Sequence, residues 1–145
     1  PRVRDLVQRS GFAGEYVGVD IIEGEGVDRV GRLTDMADIG AFDVAICCEV
    51  LEHDPQWQAT IGTILQLTKI GGLLFLTWAS PTRAEHGTAR TDGVVSGENP
   101  NYYYAPSAGE VAEILSPFVE SLIILPGRRG VDLYCEATHC IPRPK

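Results

Sequence analysis

The stretch from Asp43 to Trp78 constrains the fold of this chain more than any other. Asp43-Val44-Ala45-Ile46-Cys47-Cys48 is apolar after its first residue, and Leu73-Leu74-Phe75-Leu76-Thr77-Trp78 is a second short apolar run. Such runs read as buried strands, and near-continuous apolarity implies cover on both faces, as in a parallel sheet flanked by helices. Between them Trp57, Ile61, Ile64, Leu65 and Thr68 fall on one face of a helix. Asp54 is placed to act as its N-cap, with Pro55 at the first helical position, where a missing N–H costs nothing. Lys69 then suits the last turn, and Gly71-Gly72 the stop. Strand, helix and strand in this order predict a parallel crossover unit of right-handed sense.

The flanking segments extend the pattern. Arg2 to Ser10 carries Val3, Leu6 and Val7 at helical spacing, with Gly11 as a stop. Tyr16 to Asp20 reads as a short buried strand ending in an acid. Glu23 to Gly26 reads as a loop, and a short strand near Val30–Leu33 is followed by a turn. Ala79 to Tyr104 has little periodicity, which marks it as a lid or acceptor-binding loop. Ser107 and Glu110 make a capping box that opens a helix with Val111, Ile114 and Leu115 inward, and Pro117 stops it. Val119–Leu125 and Val131–His139 are two more strands. The five residues from Pro126 to Gly130 are too few for a parallel crossover, so this pair is an antiparallel hairpin. The expected fold is a single α/β domain over residues 1–145, a Rossmann-like doubly wound sheet, mostly parallel, with a C-terminal antiparallel hairpin.

Composition narrows the function. A formal charge of −8 with scattered basic residues argues against a surface that tracks nucleic-acid phosphates. No apolar run approaches the roughly 18–20 residues of a membrane span. The N-terminus does not lead into a signal-peptide core, so a soluble cytoplasmic protein is expected, with no membrane partner. The cysteines are Cys47, Cys48, Cys135 and Cys140, with no C-x-x-C pair among them. Buried reduced thiols are expected rather than zinc ligands, and no metal site is expected.

In an open α/β sheet, ligands bind beyond the C-terminal ends of the strands. Polar residues stand at three such ends: Asp20, Thr34-Asp35-Met36, and Cys48-Glu49. An acid just after a strand is well placed to accept both hydroxyls of a ribose. Asp20 equally suits capping the next segment, and the residues alone leave both readings open.

The order of features completes a pattern. Tyr16-Val17-Gly18-Val19-Asp20-Ile21, Gly24-Glu25-Gly26-Val27-Asp28, Phe42-Asp43-Val44, Glu49-Val50-Leu51-Glu52-His53 and Gly71-Gly72-Leu73-Leu74 follow one another in turn. This run resembles the class I S-adenosylmethionine-dependent methyltransferases, and most of all the type 11 subgroup with its E-V-L-E-H segment. Arg83-Ala84-Glu85-His86-Gly87-Thr88 and Tyr102-Tyr103-Tyr104 also look like a branch of that family, and the similarity covers roughly residues 2–125.

The resemblance implies an enzyme that moves a methyl group from S-adenosylmethionine to an acceptor, leaving S-adenosylhomocysteine. It implies that Asp20 holds the ribose hydroxyls and Ile21 lies against the adenine. Asp35 and Met36 match the stretch that reads and covers the adenine, and Cys48 and Glu49 the positions beneath the methionine part. His53 closes the motif, either fixing the loop to the next helix or acting as a general base. His86, in the lid, is the other candidate for proton transfer. The driving force resides in the cofactor, so the protein's task is to align acceptor and methyl. A small metabolite or a glycan is the expected acceptor, and its loops are the variable part of such folds.

One departure from the family bears on all of this. The family opens with a strand and a G-x-G loop around the cofactor's methionine end, whereas Arg2 to Ser10 matches the helix after that loop. Gly24-Glu25-Gly26 is no replacement, because it follows the second strand and its acids would repel a carboxylate. The chain is therefore expected to be N-terminally truncated, with its first strand and glycine-rich loop absent and its cofactor affinity weak. The missing strand belongs mid-sheet, between those ending at Asp20 and Cys48. Either these two pair directly, or the sheet is split and completed by a neighbouring chain in a homodimer. The competing reading from another class is a non-catalytic α/β domain that keeps the fold for small-ligand binding or assembly. A nicotinamide-dependent enzyme fits less well, since no G-x-G-x-x-G follows a first strand.

Overall fold

In the computed structural model, residues 3–91 and 99–140 are described, and the chain divides into two units, residues 1–36 and 37–145. Part of the expected lid, residues 92–98, and the first residue of the expected N-terminal helix, Arg2, lie outside the described residues.

The first unit holds helix α1 (Val3–Arg9) and two short parallel strands, β1 (Val19–Asp20) and β2 (Arg29–Val30). Both strands differ from the sequence expectation. β1 is shorter than Tyr16–Asp20, and β2 covers Arg29–Val30 where a strand near Val30–Leu33 was expected, with the expected turn following as a 3-10 turn at Leu33–Asp35. The cause is a tight crossing that replaces ladder bonds. The Gly18 carbonyl accepts the N–H groups of both Asp28 and Arg29, and the Gly18 N–H donates to the Asp28 carboxylate at 2.7 Å. A Cβ on Gly18 would stand 1.9 Å from the Gly26 carbonyl oxygen, so only glycine allows this approach. Arg4 closes the knot with an ion pair to Asp28. None of α1 is buried, because two two-residue strands offer it no broad apolar face to cover.

The second unit contains β3 (Phe42–Cys48), α2 (Trp57–Leu67), β4 (Thr68–Ala79), α3 (Ala108–Leu115), β5 (Val119–Pro126) and β6 (Asp132–His139). Its sheet runs in the order β3-β4-β6-β5, with β3 and β4 parallel and the C-terminal hairpin antiparallel, as expected. The capping box of Ser107 and Glu110 opens α3. α2 departs from expectation at both ends. Asp54 accepts the Gln56 N–H and the Thr60 hydroxyl, so it caps a turn ahead of the helix, whose own N-cap is Gln56. β4 begins directly after α2, so Lys69 lies in the strand, where its amine bridges to Asp43 at 3.0 Å. Gly71 and Gly72 are also in the strand, beside the register shift between Phe42 and Val44. A Cβ on Gly72 would come within 2.9 Å of the backbone oxygens of Lys69 and Asp43.

The strand registers sort the sheet into two faces. One carries Leu74, Leu76, Trp78, Leu133, Cys135 and Ala137, all buried, with α2 packed on β4 and α3 on β5. Leu51, Trp57, Ile61, Val111 and Leu115 complete this core. The other face carries Ile46, Phe75 and Ile123 in one row, and Thr77, Tyr134 and Leu125 in the next. The expected cover on both faces of β3 is not observed: Val44 and Ile46 are 37% and 41% exposed. The strand ending at Asp20 belongs, among the described residues, to the two-stranded sheet of the first unit and the strand ending at Cys48 to the four-stranded sheet of the second. Among the described residues, no helix is long and apolar enough to cross a membrane.

Candidate functional site

In the first unit, Asp20 stands at a strand end, whereas Asp35 and Met36 lie beyond β2, at the end of a 3-10 turn. Asp20 ends β1 and is exposed, and its carboxylate accepts the Ile22 N–H at 3.0 Å. That bond is the capping role left open by the sequence, and it leaves the second carboxylate oxygen for other donors. Ile21 is 44% exposed beside it. The Asp20 carbonyl accepts the Gly31 N–H, which ties the end of β1 to the segment leading to Asp35. Asp35 is exposed at the end of its 3-10 turn, and Met36 caps that turn, half-buried, with its methyl against Gly31.

In the second unit, the chain leaves β3 through Cys48 and turns sharply at Glu49, whose φ of 55° lies in the left-handed region. The turn is held on three sides. The Glu49 N–H donates to the Thr77 carbonyl at 2.8 Å, and its carboxylate accepts the Thr77 hydroxyl and the Arg83 guanidinium. Arg83 also bonds Asp132 at 2.6 Å, so one cation joins the ends of β3 and β6. Burial, and then the neighbouring Cys48, pushes the Cys47 thiol up to about 12, and burial raises Cys48 as well. Neither is a thiolate nucleophile near neutral pH.

Beyond this turn lies a cluster that the sequence only partly revealed. Glu52 is fully buried; one oxygen accepts the Ala79 N–H at 3.1 Å, and the other, Oε2, is buried without a partner. Burial pushes its carboxyl above the usual range, against the opposing effect of its own N–H. His86 Nε2 stands 3.9 Å from Glu52 Oε1, while His86 Nδ1 lies 3.1 Å from the Ala84 carbonyl. The rings of His53 and His86 meet edge to face at 5.2 Å, and Tyr103 abuts both. Burial, then the charge of His86, lowers the His53 pKa. Gly87 permits the approach, because a Cβ there would sit 3.0 Å from the His53 ring. The structure thus brings His53 and His86 together. Glu52, Arg83 and Tyr103 were not singled out from the sequence, although a carboxylate directly before a histidine in an apolar turn is a usable signal.

The arrangement of strands settles the fold when it is set beside solved structures. The 1,6-didemethyltoxoflavin N1-methyltransferase of Burkholderia thailandensis, bound to its substrate and S-adenosylhomocysteine, superposes with a TM-score of 0.62 at 19% identity. It matches over 96% of this chain and 67% of its own. The chain has the class I methyltransferase fold. Two further structures of that fold hold S-adenosylhomocysteine. The N-methyltransferase NodS of Bradyrhizobium japonicum WM9 has a TM-score of 0.53 and 16% identity over 83% of this chain. The magnesium protoporphyrin IX methyltransferase ChlM of Synechocystis PCC 6803 has 0.50 and 20% over 80%. The chain spans 64% of NodS and 53% of ChlM, less than two thirds of either methyltransferase. No protein-family model matches the sequence, and no curated protein is significantly similar to it.

Proposed function

We propose that this chain is part of an enzyme that transfers a methyl group from S-adenosylmethionine to a small metabolite or a glycan. The observation that supports this reading is the likeness to three methyltransferases, all crystallised with S-adenosylhomocysteine. In this proposal Asp20 receives the ribose hydroxyls, and Ile21, Asp35 and Met36 meet the adenine. Cys48 and Glu49 meet the methionine part, and His53 and His86 act on the acceptor. The acidic surface, with a formal charge of −8, favours a small acceptor over a nucleic acid. Four free cysteines suit the reducing cytoplasm. The open edge of β3, which pairs only with β4 among the described residues, suits a second copy of the chain as the partner that completes the sheet.

Methyl transfer from a sulfonium requires in-line placement more than acid–base power, because the leaving thioether is neutral. The chain's own contribution is a rigid turn at Glu49 and fixed carboxylates at strand ends. The test is an amide NMR titration with S-adenosylhomocysteine, which detects weak binding residue by residue. Saturable shifts are expected at Asp20, Ile21, Asp35, Met36, Cys48 and Glu49. Asp20→Asn should weaken the binding about tenfold, the worth of a charge-assisted hydrogen bond. No saturable shift up to millimolar ligand, or shifts confined to other residues, would overturn the reading.

A further inference from the structure

We propose that Glu52, His53 and His86 bind a divalent transition-metal ion. One carboxylate oxygen and one nitrogen from each imidazole lie within 4.8 Å of one another. Ligand atoms around a four-coordinate zinc are about 3.4 Å apart, so each has to move by less than about 1 Å to close on an ion. The two histidines come from the segments that follow β3 and β4, the ends of neighbouring parallel strands where such sheets place their ligands.

Three features of the cluster call for a cation. The first is the buried Oε2 of Glu52, which has no hydrogen-bond partner. An unpaired carboxylate oxygen out of water is expensive, and metal coordination removes that cost. The second is the tautomer of His86. The Ala84 carbonyl can only accept, so Nδ1 carries the proton and Nε2 presents its lone pair. That lone pair faces the Glu52 carboxylate at 3.9 Å, two electron-rich groups with no donor shown between them. A carbonyl that fixes the distal nitrogen is also how metal-binding histidines are oriented. The third is the packing that locks both rings. Tyr103 lies edge-on to each, and Gly87, with φ of 63°, leaves room for His53.

Two imidazoles and one carboxylate suit zinc, iron or cobalt better than magnesium or calcium, which prefer oxygen ligands. Glu49 is not a member of the set, because Thr77 and Arg83 already hold its oxygens. Three protein ligands leave an open position, the mark of catalytic rather than structural sites. Under the methyl-transfer reading, on which this step alone rests, an acceptor hydroxyl binds there and loses its proton to water. Its oxygen then forms the O–CH3 bond as the S–CH3 bond of the sulfonium breaks, releasing neutral S-adenosylhomocysteine. This goes against the expectation from cysteine spacing that the chain has no metal site.

The test is a titration of the apo chain with Co(II), followed by visible absorption and without any methyl donor. One equivalent is expected to bind with ligand-field bands, and Zn(II) should displace it. His86→Ala and Glu52→Gln should each weaken binding at least about a hundredfold, with the fold checked by circular dichroism. Where Glu52→Gln fails to fold, His53→Ala supplies the second variant. Absence of stoichiometric binding would overturn the proposal and leave a protonated Glu52 hydrogen-bonded to His86 as the account of the cluster. Binding that survives loss of both histidines would overturn it too. Neither result bears on cofactor binding, which the amide titration reads separately.

Discussion

Asp28 shows how much one side chain does in the smaller unit. Its carboxylate accepts the Gly18 N–H and pairs with Arg4, and the Gly18 bond is the main reason its pKa is depressed. A group whose folded pKa lies below its unfolded value stabilises the fold above the unfolded pKa. That contribution is lost as pH falls through the folded pKa. The Gly18 amide resonance should therefore hold steady down to about pH 4, the ordinary aspartate range, and move only below it. Asp28→Asn should abolish that acid-limb movement. A wild-type Gly18 amide that already titrates at the ordinary aspartate pKa would show that the bond does not form. None of this was legible beforehand: the sequence showed an acid in a glycine-rich loop, but not that Gly18 and Arg4 would meet it. Glu49 repeats the lesson. Its place after a strand was visible, while its left-handed φ and its partners Thr77 and Arg83 depend on segments brought together only by the fold.

At the scale of elements, what the sequence announced were features written within a few residues. The Ser107–Glu110 box is one: Ser107 accepts the Glu110 N–H while the Glu110 carboxylate accepts the Ser107 N–H at 2.8 Å. Ser107→Ala should cost about 1 kcal/mol in urea unfolding, and Ser107→Asp, which keeps an acceptor, much less. Equal losses from both would mean that the cap contributes through packing instead. The hairpin was legible for a similar reason, since a short link permits only an antiparallel pair. The ends of α2 were misread because their signals have second uses. Asp54 spends its oxygens on Gln56 and Thr60, and Lys69 is drawn into β4, where Asp43 meets it. The length of β1 was misread because Gly18 bonds across to Asp28 and Arg29 instead of extending a ladder.

For the molecule as a whole, the sheet of the larger unit has two unlike faces, and apolar sequence alone could not tell them apart. β3, β4 and β5 carry apolar residues on both sides, which is what a sheet covered by helices on both faces requires, whereas β6 alternates and turns Asp132, Tyr134, Glu136 and Thr138 away from the buried face. Only one face meets α2 and α3, and there Leu74 is fully buried. On the other, Ile123 and Leu125 are 52% and 59% exposed beside the half-exposed Tyr134. The two faces should therefore answer differently to truncation. Leu74→Ala removes methyl groups from a filled core and should cost about 2–5 kcal/mol. Leu125→Thr places a β-branched residue, which suits a strand, where the side chain already meets water, and should stay within about 0.5 kcal/mol. Urea midpoints at unchanged slope would measure both. If Leu125→Thr proved as costly as Leu74→Ala, that face would be buried in solution, and a second copy of the chain would be the first partner to look for. Sedimentation of the wild type and Leu125→Thr would then separate cover by a partner, lost on dilution, from cover within one chain.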